Sequence, residues 1–300
     1  MTAEFSLEDL RRDIDRIDDQ IHDLLMARAA IGERIGKAKT GSAINLRPGR
    51  EAMILRRLVA RHRGPFPKSS MVSIWREIFA GLTSLQGPFS MAVLGGEQQH
   101  SLVELARDQY GSYTPIHVYP SVRRVMESIV SGEASVGVLP VPRQDDDDPW
   151  WPYLVSESAT APRIVARLPF AAPVNSRAAE REALVISRLT PDRTDDDRTV
   201  LAMDLVAPAS LARLTPALEA ANLEATFCAR WANPQLGHSV LHLVEVAGFL
   251  TADDSRVLAV QEALGIDVNR TMVVGAYATP LGATALRQTR DTTASPRKAG

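Results

Sequence analysis

Arg28 sits where an apolar side chain belongs. From Leu10 the sequence steps through Ile14, Ile17, Ile21, Leu24, Arg28, Ile31, Ile35 and Ala38. The steps alternate three and four residues, the seam of a long helix that packs on other helices. A lone guanidinium buried in such a seam costs on the order of several kcal/mol. Either another residue neutralises it or it awaits an anionic ligand. The other cations of interest are Arg11, Lys39 and Arg50. Lys39 follows Arg28 by about three helical turns, so both point to nearly the same face, about 16 Å apart along the axis. Arg11 precedes Arg28 by about 25 Å on the same axis, too far for one small metabolite to touch both. An antiparallel partner helix would bring its own Arg11 beside this chain's Arg28 and Lys39. That geometry makes a cationic pocket at a dimer interface, suited to an anion with two carboxylates.

The elements that must position these residues are helical up to about residue 88. Helix one is expected from Ser6, a good N-cap with Glu8 and Asp9 in its first turn, to about Thr40, broken by Gly41-Ser42-Ala43. Helix two starts near Pro48 and stops before Gly64-Pro65, with Met53, Leu55, Leu58 and Val59 as its apolar residues. Helix three runs from Ser69 or Ser70 to Gly87-Pro88, with the face Val72, Trp75, Ile78, Phe79, Leu82. One long helix and two shorter ones cannot wrap a core alone, so an intertwined homodimer is expected.

Beyond residue 90 the pattern changes to α/β alternation. Strands are expected at 91–94, 116–119 and 136–139, and helices at 101–110 and 122–131. Asp145 to Asp148 read as a solvated loop rather than a metal site, because adjacent acids repel and do not point at one centre. Trp150 and Trp151 read as packing anchors. Residues 198–280 follow the order strand, helix, strand, strand, helix, strand. The strands are expected at 200–206, 225–230, 240–247 and 271–277, and the helices at 210–221 and 256–264. That order is the ferredoxin-like split βαβ. Residues 282–300 are polar and aperiodic and are expected to be disordered.

Bulk properties bound the function. Three hundred residues suffice for two or three domains. The chain is 45% hydrophobic and 23% charged, as in ordinary globular proteins, and its net charge of -2 gives no cause to expect nucleic acid or an anionic membrane as partner. The single cysteine, Cys228, excludes an internal disulfide framework and fits a reducing, cytoplasmic setting. The start Met1-Thr2-Ala3-Glu4-Phe5 predicts no signal peptide, and no run is apolar enough for a membrane span. The histidines show no zinc-type clustering; His238 and His242 lie in a strand-like segment and read as structural.

Residues 7–88 resemble the all-helical chorismate mutase family. The run Leu10-Arg11-Arg12-Asp13-Ile14 through Arg28 to Gly36-Lys37-Ala38-Lys39 is similar to its first helix with the spacing intact. Arg50-Glu51 is similar to the pair that opens its second helix, and Gln86 to the glutamine near the end of its third. The resemblance implies an intertwined helical homodimer that converts chorismate to prephenate, without metal or cofactor, in aromatic amino acid biosynthesis. It implies that Arg28 and the partner's Arg11 hold the substrate carboxylates. It also implies that Lys39 and Gln86 face the ether oxygen of the breaking bond, that Glu51 takes a substrate hydroxyl, and that Arg50 shapes the site. Two positions depart from the pattern: Leu82 stands where many relatives have serine, and Arg47 where some have an acid. The bottom-up chemistry agrees. A pericyclic rearrangement needs no nucleophile and no proton transfer, only a dianion held compact and charge stabilised on an oxygen.

The remainder resembles prephenate dehydratase more faintly. Gly95-Gly96-Glu97-Gln98-Gln99-His100-Ser101 stands where that family has a glycine-rich stretch. Val138-Leu139-Pro140-Val141 is similar to its Val-Val-Pro-Ile strand, followed by Pro142-Arg143-Gln144 in place of Glu-Asn-Ser. Its catalytic Thr-Arg-Phe falls at Arg181-Glu182-Ala183, where no residue matches, and the spacing leaves out most of a middle lobe. Residues 198–280 resemble its ACT regulatory domain, with Pro208-Ala209-Ser210-Leu211 and Cys228-Ala229-Arg230-Trp231 as eroded versions of the phenylalanine-binding motifs. The resemblance thus implies a multidomain chain. Its parts are an all-α mutase domain (1–88), a truncated dehydratase-like α/β domain (89–192), an α+β ACT-like domain (193–281) and a tail (282–300). Three functions stay in play. The leading one is a mutase with a catalytically inactive dehydratase-like extension. The others are a bifunctional mutase/dehydratase and a non-catalytic metabolite-binding or regulatory protein. Contact with other aromatic-pathway enzymes is one role open to residues 89–281.

Overall fold

A computed structural model describes residues 6–38, 44–96, 100–144, 146, 148–158, 160–171, 182–206, 211–232, 240–265 and 268–287. Lys39, Glu97, Gln98, Gln99, Asp145, Asp147, Arg181, Pro208, Ala209, Ser210, His238 and residues 288–300, all singled out above, lie outside the described residues.

Three helices come first: α1 (Leu7–Ala38), α2 (Pro48–Arg61) and α3 (Lys68–Gln86). Ser6 does cap α1, its Oγ accepting the Asp9 backbone N–H at 3.1 Å. Pro48 opens α2, where its missing N–H costs nothing. The C-terminal half of α1 lies on α3 because Gly32 and Gly36 keep that face flat. A side chain at Gly36 would stand 3.1 Å from Gln86 Cγ, and one at Gly32 would stand 3.3 Å from Leu82 Cδ2. The rest of the seam is bare. Leu10, Ile14, Ile17, Ile21, Leu24, Ile31 and Ile35 are between 46% and 70% exposed.

The α/β part follows in the order β1 (Met91–Leu94), α4 (His100–Tyr110), β2 (Ile116–Tyr119), α5 (Val122–Ser131), β3 (Val136–Pro140), a 3-10 turn (Trp151–Leu154), β4 (Arg163–Leu168) and β5 (Ala183–Ser187). Strands β2, β1 and β3 are parallel, as helical crossovers require, and β5 and β4 add on antiparallel. Strands β4 and β5 add to those that the sequence pattern predicts. Arg163 opens β4 and Arg167 interrupts its apolar run, and each is accommodated by partners. Arg163 donates to the Leu154 and Ser156 carbonyls, and Arg167 pairs with Glu182. Trp150 and Trp151 are buried anchors, the first donating from Nε1 to the Pro140 carbonyl at 2.8 Å.

The last part runs β6 (Asp197–Leu205), α6 (Leu211–Ala220), β7 (Ala225–Ala232), β8 (Val240–Ala247), α7 (Ser255–Leu264) and β9 (Val268–Ala278). Its strands lie side by side as β9-β6-β8-β7, all antiparallel, the spatial order of a split βαβ unit. The two C-terminal parts are not separate layers. Among the described residues one sheet runs β2-β1-β3-β5-β4-β9-β6-β8-β7, joined where β4 meets β9 at Ile164 and Gly275. One expectation is corrected. The chain does not lose order at 282: Ala283–Leu286 forms a short helix, α8, and Leu286 is buried with Ala52, Leu55, Val59 and Val72 of α2 and α3. The polar composition there conceals one apolar anchor.

Candidate active site

The three helices bring several expected residues together. Arg28 projects from α1 onto α3, its guanidinium carbon 5.6 Å from the centre of the Phe79 ring. The ring face is negative and favours the cation. Burial holds the Arg28 guanidinium below its ordinary range, and the Glu51 carboxylate, one helix away, counters that effect. Gln86 lies at the end of α3 against Gly36, two turns beyond Arg28 on the same face of α1, and its Nε2 donates to the Leu82 carbonyl at 3.2 Å. Leu82 packs against Gly32 between them. Arg28, Glu51, Leu82 and Gln86 therefore border one region. Arg50 points from α2 to solvent, and Arg11 is exposed near the far end of α1. Lys39 lies outside the described residues.

Glu51 is the most constrained of the group. Its pKa is pushed up to about 7, chiefly by burial, while Arg76 and Arg28 pull it down. The partner of Glu51 is Arg76 of α3, a residue that the sequence pattern does not mark. It donates from Nη1 to Glu51 Oε2 at 2.9 Å, and both side chains are nearly inaccessible. Burial also lowers the pKa of Arg76, opposed by Glu51. Desolvation thus works against both charges, and each persists because the other is there. The signal available in the sequence was slight: a lone arginine between Trp75 and Glu77, one place off the apolar face.

Arg47, the other departure, has a structural partner. It makes a bidentate pair with Asp192, at 2.7 and 2.9 Å. Arg56, two turns on, donates to Thr194 Oγ1 and to the Asp196 and Thr279 carbonyls. Gly49 lies between them, where a Cβ would come within 3.0 Å of the Asp192 carbonyl oxygen. On the other side, Glu77 of α3 accepts from the backbone N–H and hydroxyl of Ser112. The helical segment is thereby clamped to the C-terminal sheet at both α2 and α3.

Of the stretch Arg181-Glu182-Ala183, the described residues are Glu182 and Ala183. Glu182 pairs with Arg167, which also reaches Glu245 at 3.2 Å and Tyr277 at 3.3 Å. This network ties β4 to β8 and β9. Among the described residues no three His, Cys, Asp or Glu side chains gather as a metal site, and no helix is long and apolar enough to cross a membrane.

The arrangement defines a class: a three-helix segment with Arg28 and Gln86 at the contact of α1 and α3, attached to a mixed sheet. Residues 10–87, about a quarter of the chain, match the family described as Chorismate mutase type II. The chain is 30% identical over 147 residues to the bifunctional chorismate mutase/prephenate dehydratase of Stutzerimonas stutzeri, covering 47% of this chain and 40% of that protein. It is 32% identical over 143 residues to the protein so named from Aquifex aeolicus, covering 45% and 38%. The match thus spans about two fifths of these curated relatives' own length. A prephenate dehydratase structure from Streptococcus mutans superposes with a TM-score of 0.45 and 15% identity, covering 64% of this chain and 98% of that one.

Proposed function

We propose that this protein is a chorismate mutase, an isomerase that converts chorismate to prephenate in aromatic amino acid biosynthesis. The observation that carries this reading is the convergence of Arg28, Glu51 and Gln86, from three helices, within the segment that matches the mutase family. Arg28 and Arg11 from a partner chain hold the two substrate carboxylates and force the compact conformer. Gln86 and Lys39 stabilise the charge that develops on the ether oxygen as its bond breaks. Glu51 accepts from the substrate hydroxyl, and Arg50 shapes the rim. Leu82 replaces a polar contact with packing on Gly32. No metal or cofactor enters the scheme.

The partner chain is a second copy. The bare seam of α1 supports this, because each buried aliphatic side chain is worth about 1.5–3 kcal/mol and the seam exposes a full row of them. The split βαβ unit at residues 193–281 is read as ACT-like, residues 89–192 as a reduced dehydratase-like unit without activity, and the setting as cytoplasmic.

The test is to supply chorismate to the purified chain and follow its loss, then to assay phenylpyruvate without acid treatment. Chorismate loss without phenylpyruvate is expected. No loss at micromolar protein sinks the mutase reading. Prompt phenylpyruvate establishes instead the bifunctional reading, which the names of the relatives favour.

A further inference from the structure

The back of the Glu51 site is not built by the helical segment alone. The guanidinium of Arg76, paired with Glu51, lies over the ring of Phe170, 5.2 Å from its centroid. Phe170 follows β4, so it belongs to the sheet part of the chain. It is buried in one apolar cluster with Ala52 and Phe79, the neighbours of Glu51 and Arg28. Tyr110, the last residue of α4, adds a buried hydroxyl with no hydrogen-bond partner among the described residues, and both Glu51 and Arg76 act on it electrostatically. The charged groups that act on Glu51 are thus Arg28 from α1 and Arg76 from α3, and the uncharged Tyr110 hydroxyl from α4 feels both members of the Glu51–Arg76 pair.

We infer that Arg76 is a positioning residue for Glu51, and that the sheet part of the chain, through Phe170 and Tyr110, closes the back of the same site. This rests on the mutase reading above. The physical case is direct. A buried carboxylate with one strong partner has one orientation, and a buried guanidinium with its face on an aromatic ring cannot swing away from that partner. Water kept out by Phe170 makes the pair stronger and the carboxylate harder to ionise. The C-terminal part then persists because the helical site is incomplete without it.

The experiment uses the full chain with chorismate and reads kcat, KM and the acid limb of kcat/KM against pH. Arg76→Met removes the cation that favours the ionised carboxylate, so the limb moves to higher pH by about one pH unit or more. Arg76→Lys keeps the charge and returns the limb most of the way. Phe170→Leu admits water and eases ionisation, so the limb moves to lower pH. A merely structural role would lower activity at every pH and leave the limb in place. A limb unmoved in both Arg76→Met and Phe170→Leu overturns the inference. If Arg76→Met does not fold, an unmoved limb in Phe170→Leu overturns it. If the unaltered chain consumes no chorismate, the mutase reading fails by itself. The titration of Glu51, followed by NMR in the same variants, then decides the positioning claim by the same directions.

Discussion

Arg28 is half-buried, charged and, among the described residues, faced by an aromatic ring rather than by a direct ion-pair partner. Glu51 acts on it from α2, but the carboxylate is already hydrogen-bonded to Arg76. The proposed mutase reading uses the guanidinium donors of Arg28 to meet the substrate's anionic group. Arg28→Ala is expected to lower kcat/KM for chorismate by about 100-fold or more. Circular dichroism and the oligomeric state should be unchanged, because the residue contributes little to the apolar cores. Near-normal turnover would remove Arg28 from the site.

At the scale of elements, the joint between β4 and β9 is the narrowest part of the sheet. It depends on Gly275, since a Cβ there would fall well inside contact with the Ile164 backbone. Gly275→Ala cannot be relieved by a rotamer change and must part the strands. Such a substitution is expected to lower the melting temperature by roughly 5 °C or more. Differential scanning calorimetry should also show the single transition broadening or splitting as the two halves of the sheet lose their coupling. A melting curve identical to the unaltered chain would show that the joint bears no stability. Helix α2 is held differently, by Arg47 and Arg56 reaching to the segment before β6 and the end of β9. The Arg47 pair is half-exposed and worth about 1 kcal/mol or less, whereas Arg56 makes three donations across the interface.

At the scale of the whole molecule, a single chain leaves the α1 seam bare and keeps Arg11 far from Arg28. In the proposed mutase a second copy lies antiparallel along that seam and completes the site. Mixing Arg11→Ala chains with Lys39→Ala chains tests this. Neither variant should turn over alone, and each mixed dimer should contain one intact site. Activity regained after verified subunit exchange is the expected result; exchange without recovery would dismiss the shared site.

The sequence by itself determined the local architecture. The 3–4 seam, the Ser6 cap and Pro48 placed the helices of the first segment. Short apolar runs between helical stretches placed seven strands, because these signals depend on neighbours within a few residues. It also marked Arg28, since a charge in an apolar seam needs no fold to be anomalous. What only the tertiary structure decided lies between distant residues. Strand β4 carries Arg163 and Arg167, and Arg167 finds Glu245 and Tyr277 far along the chain, so its pattern does not read as strand; β5 is a short apolar run whose place between β3 and β4 is set by pairing. Arg76 looks like a surface residue until α2 brings Glu51 to it. Leu286 becomes an anchor only where α2 and α3 meet it. Arg47 is a departure in the family pattern and a clamp in the fold, because Asp192 reaches it from the sheet. Periodicity reports which face of an element is buried. Which charge stands opposite which is a property of packing, and packing alone placed Arg76 on Glu51 and Phe170 against Arg76.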